Sequence, residues 1–392
     1  MPDSRDEIGL VLTGGGARAA YQVGVLRAIA ELRSRGDPVP FRIICGTSAG
    51  AINAAALSAY AHDYRRAVSR LVRVWANFHV KQVFRSDVAG VMKTGAHWLL
   101  GMASVGFLGK RDAFYLLDRA PLKEMLREYI LPADIQRSID GGFLRALSIT
   151  ASGYSSHQSV SFFQGHGDLE GWSRSHRKGA RSAITIEHLL ASSAIPFIFA
   201  PQKVNREYFG DGSMRQIAPI SPALHLGARR VLVIGNRHRG DSQVEPRISE
   251  NENPTLGQIA AHALNSIFLD VLEADIERLE RINKTISLIP REKREAHDIA
   301  LRHVDLLVIN PSRDLGDLAM RYAHELPRTI RILLRGIGAN TAGGSGLVSY
   351  LLFEKGYCRE LIRLGYRDAL DKRDELIDFL ASAALTDSVS RD

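Results

Sequence analysis

Cysteine is almost missing from this sequence: Cys45 and Cys358 are the only two in 392 residues. That excludes a disulfide framework and a CxxC metal signature, and it favours a reducing compartment. Cys45 lies in an apolar run, where a structural thiol is the default. Long apolar stretches are missing as well. The longest, Trp98 to Leu108, falls short of the ~20 residues that a bilayer span requires. The opening residues, MPDSRDEIGL, are charged and polar where a secretory leader would carry its apolar core. Aromatic residues make up 7% and do not interleave with basic ones, as binding of single-stranded nucleic acid would require. These gaps predict a cytoplasmic protein with no nucleic-acid partner, and they leave peripheral membrane contact open.

What is present is ordinary globular composition, 45% hydrophobic and 24% charged, in a chain long enough for one large or two modest domains. The formal net charge is +8. Such a balance fits an anionic partner, an acidic membrane surface among them, or a solubilising surface of no specific use. Ile8 to Thr13 reads as a strand, Gly14-Gly15-Gly16-Ala17-Arg18 as a turn, and Tyr21 to Leu32 as an amphipathic helix. The same order recurs: apolar Phe41 to Cys45, the turn Gly46-Thr47-Ser48-Ala49-Gly50, then helix formers from Ala51 to Ala61. Two such units in succession imply parallel strands with right-handed crossovers. Both glycine turns then fall at the carboxyl edge of the sheet, where open α/β folds place their sites.

Gly46 to Gly50 matches Gly-x-Ser-x-Gly between a strand and a helix, the context of a nucleophile elbow with Ser48 at its apex. An ordinary turn with Ser48 as a helix cap is the plain alternative. The glycine run at 14–16 has three readings. Its amides can face a developing negative charge as an oxyanion hole, cradle a phosphate, or simply form a tight turn. A dinucleotide site would need an acidic residue at the end of the second strand, and Ser48 stands there. Beside a candidate elbow the oxyanion reading is the best of the three.

Residues 63–132 read as mostly helical, with Leu71, Val72, Trp75 and Phe78 at helical spacing. Within them Met92 to Leu108 is apolar, Gly-rich and flanked by Lys93, Lys110 and Arg111, which fits a lid, an interfacial segment or a buried helix. Leu144 to Ser152 and Ser159 to Phe163 alternate as strands. Arg174 to Arg181 reads as a basic surface loop, and Ile186 to Pro201 as a helix halted at Pro196. Glu207 to Gly210 is a short strand that ends at Asp211-Gly212-Ser213; Arg229 to Gly235 and Asp305 to Asn310 are two more strands. Leu256 to Ile282 has the stripe of a long amphipathic helix, and Gly343 to Gly346 reads as a hinge before C-terminal helices.

Four pieces in order, GGGAR at 14–18, GTSAG at 46–50, ASSAIPFIFAP at 191–201 and DGS at 211–213, resemble the patatin-like phospholipase family. The resemblance covers roughly the first 310 residues. It implies a three-layer α/β/α fold with a mostly parallel central sheet, a catalytic domain over 1–310 and a helical C-terminal extension over 311–392. It also implies a lipid acyl hydrolase with Ser48 as nucleophile and Asp211 as base. Amides of the Gly14, Gly15 and Gly16 loop and of Ala49 would form the oxyanion hole. Arg18 would orient that loop, meet a substrate phosphate or pair with a structural carboxylate. Metal and cofactor are not implied; the expected partner is a lipid, with transient anionic-membrane contact and self-association left open.

The sequence departs from the family pattern at Ala19, where glycine is usual, at Ser213 in place of the second glycine of Asp-Gly-Gly, and at Ile217, where asparagine is usual; Pro219 is in place. Ala19 still allows a close turn, whereas the changes at Ser213 and Ile217 remove a polar residue near the base and put fine positioning there in question, not the dyad itself. A Ser-His-Asp triad is available in chain order, because His225, His238, His262, His297, His303 and His324 follow Asp211. An elbow on the second strand argues against the fold that usually carries that triad. Acyl transfer or thioester hydrolysis on the same scaffold is the rival enzymatic reading, and a non-catalytic lipid-binding protein is the rival of a different class.

Overall fold

A computed structural model describes residues 7–85, 115–238, 258–259, 262–263, 266, 270–297, 301–336 and 345–385. The chain opens as the motifs require: β1 (Ile8–Leu12), a 3-10 turn at Gly16–Ala19, α1 (Ala20–Glu31), β2 (Ile43–Thr47) and α2 (Ala49–Ala59). Then come α3 (Tyr64–Trp75), α4 (Ala120–Tyr129), α5 (Pro132–Asp140), β3 (Ala146–Gly153) and β4 (Ser159–Gly165). The middle of the chain adds β5 (Trp172–Arg174), β6 (Arg177–Arg181), α6 (Ile186–Ser192), β7 (Gln202–Val204), β8 (Glu207–Asp211), α7 (Ser221–His225) and β9 (Arg230–Ile234). The rest comprises α8 (Asp270–Ser287), α9 (Arg291–Ala296), β10 (Asp305–Ile309), α10 (Leu315–Tyr322), α11 (Arg328–Gly336), α12 (Ser345–Leu351), α13 (Lys355–Asp371) and α14 (Arg373–Leu385).

The described strands form one sheet in the order β10-β9-β1-β2-β3-β4-β6-β5, with β8 also paired to β3 and β7 to β8. From β10 to β3 every pairing is parallel. β4 and β8 run antiparallel to β3. The central strands β1, β2 and β9 are buried on both faces, so they read as continuous apolar runs and not as alternating ones, whereas β10 at the sheet edge is partly exposed. Their side chains nonetheless divide by parity. Leu10, Leu12, Ile44, Leu232 and Ile234 pack into a core shared with α1, α2, α3 and α6, while Val11, Ile43, Cys45, Val231 and Val233 pack under α7 and α8. That division makes the three layers. The first core also takes in Val348, Tyr350, Tyr357, Leu361 and Phe379 from the C-terminal helices.

Two expectations from the sequence need correction. Arg174 to Arg181 is not a loop: Trp172–Arg174 and Arg177–Arg181 form the sheet's edge hairpin, with β6 parallel to β4. Its charged side chains are those of a solvated edge strand, which charge protects from further pairing. Gly346 is not in a hinge but inside α12; Gly343 and Gly344 lie outside the described residues, as does Met92 to Leu108. The long amphipathic helix is described from Asp270 to Ser287, with Leu272, Ile276 and Leu279 in the core. Among the described residues no helix is long and apolar enough to cross a membrane.

Candidate active site

Pairing register explains why two residues 163 apart in sequence meet. β2 pairs with β3 up to Thr47 opposite Thr150, where β2 ends and the chain turns into α2. Beyond that point β8 takes the place of β2 beside β3, and its last residue, Asp211, lies opposite Ala151. Ser48 follows Thr47, so the end of one strand faces the end of the other at the carboxyl edge. Ser48 Oγ donates to Asp211 Oδ2 at 2.6 Å, with both residues buried.

The elbow is strained and tightly fitted. Ser48 has φ 55° and ψ −128°, a conformation that a residue with a side chain holds only when its surroundings enforce it. Gly50 leaves room for the close approach of β1: a Cβ there would lie 2.3 Å from the Leu12 carbonyl oxygen. The Ser48 amide donates to Ser192 Oγ at 2.9 Å, and that hydroxyl donates to the Thr150 carbonyl at 2.6 Å. Ser192 at the end of α6 therefore ties the elbow to β3.

Asp211 keeps its second oxygen occupied: Oδ1 accepts the Ser213 amide at 2.9 Å. The backbone supplies this bond, so a serine in place of the family's second glycine does not remove it. Burial raises the Asp211 carboxyl from its ordinary 3.8 to about 6, while the bonds from Ser48 and Ser213 and the charge of Arg119 act in the opposite direction. Arg119, also buried, donates to the Leu190 carbonyl and, at 3.4 Å, to Gln202 Oε1. Burial brings its guanidinium down to about 10, opposed by the charge of Asp211. At Ile217, 52% exposed, no polar side chain approaches from the position where the family usually has asparagine; the neighbouring Gln216 instead accepts the Thr47 hydroxyl at 2.9 Å.

The glycine loop is anchored by Asn236, just past β9, whose side-chain amide donates to the Gly14 carbonyl. Gly16 and Ala49 line the same cavity as Ser48. Arg18 is turned away from that cavity: it is 4% exposed, and its Nε donates to Ser349 Oγ at 2.7 Å. The cavity itself is apolar. It runs along α2 past Ile52 and Ala56 and is walled by Leu71, Trp75, Phe78 and Met125.

Among the described residues no histidine bonds to Ser48 or Asp211. His188, buried at the start of α6, accepts the Thr185 amide on Nδ1 at 3.1 Å, and burial pushes its pKa down to about 4, so it is a neutral, satisfied core residue. Sequence reasoning missed Arg119, Asn236 and Phe353, which also lines the cavity. None of the three carries a motif. Ser192 sits inside ASSAIPF, and that context is its only signal.

Site and sheet together define a class: an α/β/α protein with a buried serine–carboxylate pair at the mouths of its parallel strands and an apolar slot beside it. The chain belongs to the Patatin-like phospholipase family, whose profile matches residues 10–224. Membership supports lipid acyl hydrolase chemistry in general. No curated protein matches the sequence. Among solved structures the chain is similar to VipD from Legionella pneumophila, at 11% identity over 96% of this chain and 67% of that one, with TM-score 0.31. It is also similar to human GIVD cytosolic phospholipase A2 in complex with methyl gamma-linolenyl fluorophosphonate, at 13% identity over 98% of this chain, with TM-score 0.45. The chain spans 60% of the length of that human protein.

Proposed function

We propose that this protein hydrolyses carboxylic esters of lipids, of the phospholipase A or lysophospholipase kind, through a Ser48–Asp211 dyad and an acyl-serine intermediate. The observation that carries the reading is the 2.6 Å hydrogen bond from Ser48 Oγ to a buried carboxylate held near pH 6. A carboxylate at its ordinary pKa is a poor base, whereas one raised toward neutrality is matched to the task and still ionised at pH 7. Asp211 takes the Ser48 proton as Oγ adds to the ester carbonyl carbon. Amides of the Gly14–Gly16 loop and of Ala49 stabilise the resulting oxyanion. Collapse breaks the ester bond, and the leaving alcohol takes the proton back from Asp211. Water then adds to acyl-Ser48 with Asp211 again as base, which releases the fatty acid and restores the serine.

The apolar slot along α2 would take the acyl chain. Arg119 restrains the rise of the Asp211 pKa and fixes its surroundings. The division into a catalytic segment over 1–310 and a helical extension over 311–392 remains part of the proposal. So does transient contact with anionic membranes, for which the +8 net charge is the support. The experiment is fatty-acid release from phosphatidylglycerol vesicles and from nitrophenyl esters by wild type, Ser48→Ala and Asp211→Asn, with folding checked by circular dichroism. Turnover by wild type and none by either folded variant is the expected result. Turnover by folded Ser48→Ala would refute the dyad, and insensitivity of vesicle binding to salt would refute the electrostatic contact.

A further inference from the structure

The proposed chemistry depends on a glycine loop, and the groups that hold this loop come from far along the chain. Gly16 has φ 56°, and a Cβ there would lie 2.3 Å from the Tyr350 carbonyl oxygen, so the loop rests directly on the backbone of α12. Arg18 Nε donates to Ser349 Oγ, and that hydroxyl donates to the Gly346 carbonyl at 2.6 Å. The Arg18 guanidinium lies 4.4 Å from the centre of the Tyr350 ring. Ser349 and Tyr350 are fully buried. Just beyond α12, Phe353 lines the cavity and stacks on Trp75, and Glu354 accepts the Val80 amide at 3.2 Å. The stretch 345–354 therefore touches the glycine loop at one end and the acyl slot at the other. All of it lies beyond residue 224, where the family match ends.

We infer that α12 is a functional part of the site, with Ser349 and Tyr350 as positioning residues that set the glycine loop through Arg18 and Gly16. Glycines give a loop backbone freedom, and an oxyanion hole needs its amides fixed to fractions of an ångström. A buried hydrogen bond from a guanidinium and a desolvated cation–π contact supply that rigidity. This inference rests on the Ser48–Asp211 reading.

The test compares wild type, Ser349→Ala and Tyr350→Leu with Ser312→Ala, which removes a 2.6 Å bond to Asp368 Oδ1 elsewhere in the C-terminal region. Melting temperature, kcat and KM on a nitrophenyl ester and the rate of inactivation by a fluorophosphonate are read for each. Ser349→Ala and Tyr350→Leu are expected to lower kcat by about ten- to a hundredfold, below the ~10²–10³ lost when an oxyanion donor is removed outright. KM should stay within about twofold, because substrate binding is untouched, and inactivation should slow in step with kcat. Ser312→Ala should lower the melting temperature and leave kcat alone. Retained kcat in either folded loop-facing variant would overturn the inference, as would a kcat that tracks melting temperature across all three. A wild type that neither turns over nor reacts with the fluorophosphonate refutes the dyad itself, and this inference with it.

Discussion

Asp211→Asn is expected to make the protein more stable at neutral pH while abolishing its activity. In the wild type the carboxyl is held at about 6 in the folded state against an ordinary 3.8, chiefly by burial. At about 1.36 kcal/mol per tenfold change in proton affinity, ionising it in the folded protein costs about 3 kcal/mol more than in the unfolded chain. The sign follows from linkage. Between pH 4 and pH 6 the folded protein holds the proton more often than the unfolded chain, so wild-type stability falls as pH rises through this window and levels off above it. Asparagine removes the charge and keeps the shape. Its Oδ1 can still accept the Ser213 amide, and its Nδ2 can donate to Ser48 Oγ, whose hydroxyl must then turn from its present acceptor. Losing that one bond costs about 1 kcal/mol. The net gain is about 2 kcal/mol at pH 7 and close to zero at pH 4.5, where the penalty carried by the wild type has shrunk to about 1 kcal/mol and the lost bond offsets it. Urea unfolding of both proteins at the two pH values measures this directly. An Asp211→Asn variant with the same stability difference from wild type at pH 7 and at pH 4.5 would mean that Asp211 is no buried, strained base.

Activity should follow the same ionisation: kcat/KM is expected to fall about tenfold per pH unit below pH 6. In Arg119→Met that arm should move to higher pH, because the arginine charge lowers the Asp211 pKa; an unmoved arm would separate Arg119 from the base. Ser48→Gly should be more stable than Ser48→Ala by about 1 kcal/mol or more, since both lack the hydroxyl and only alanine keeps a Cβ at φ 55°. Equal melting temperatures would mean that the elbow stores no strain. Ala56→Trp, placed in the slot along α2, should lower kcat/KM for a palmitoyl ester by at least about tenfold relative to a butyryl ester; an equal loss on both would take the acyl chain out of this slot.

Much of the fold was legible because parallel strands buried on both faces leave continuous apolar runs, and turns at the sheet edge leave glycines. The apolar runs Ile8 to Thr13, Phe41 to Cys45 and Arg229 to Gly235 lie within two residues of β1, β2 and β9 at every boundary. The elbow was legible for the same reason, because Gly50 has almost no alternative where β1 passes. The edge hairpin at 172–181 was hidden by its charge: an edge strand has one solvated side, and its arginines give the composition of a loop. What surrounds the candidate pair was hidden by distance. Arg119, Asn236 and Ser349 reach Asp211, Gly14 and Arg18 from 92, 222 and 331 residues away. No local pattern records such a meeting, which depends on the register of β3, β8 and β9 and on the docking of α12.

The role of Ser48 as nucleophile is tested by reacting the protein with a fluorophosphonate and locating the adduct by peptide mass spectrometry. A single adduct on Ser48 is expected, absent from Ser48→Ala and greatly slowed in Asp211→Asn, with ester turnover lost in proportion. An adduct on another residue, or full turnover by Ser48→Ala, would remove Ser48 from that role.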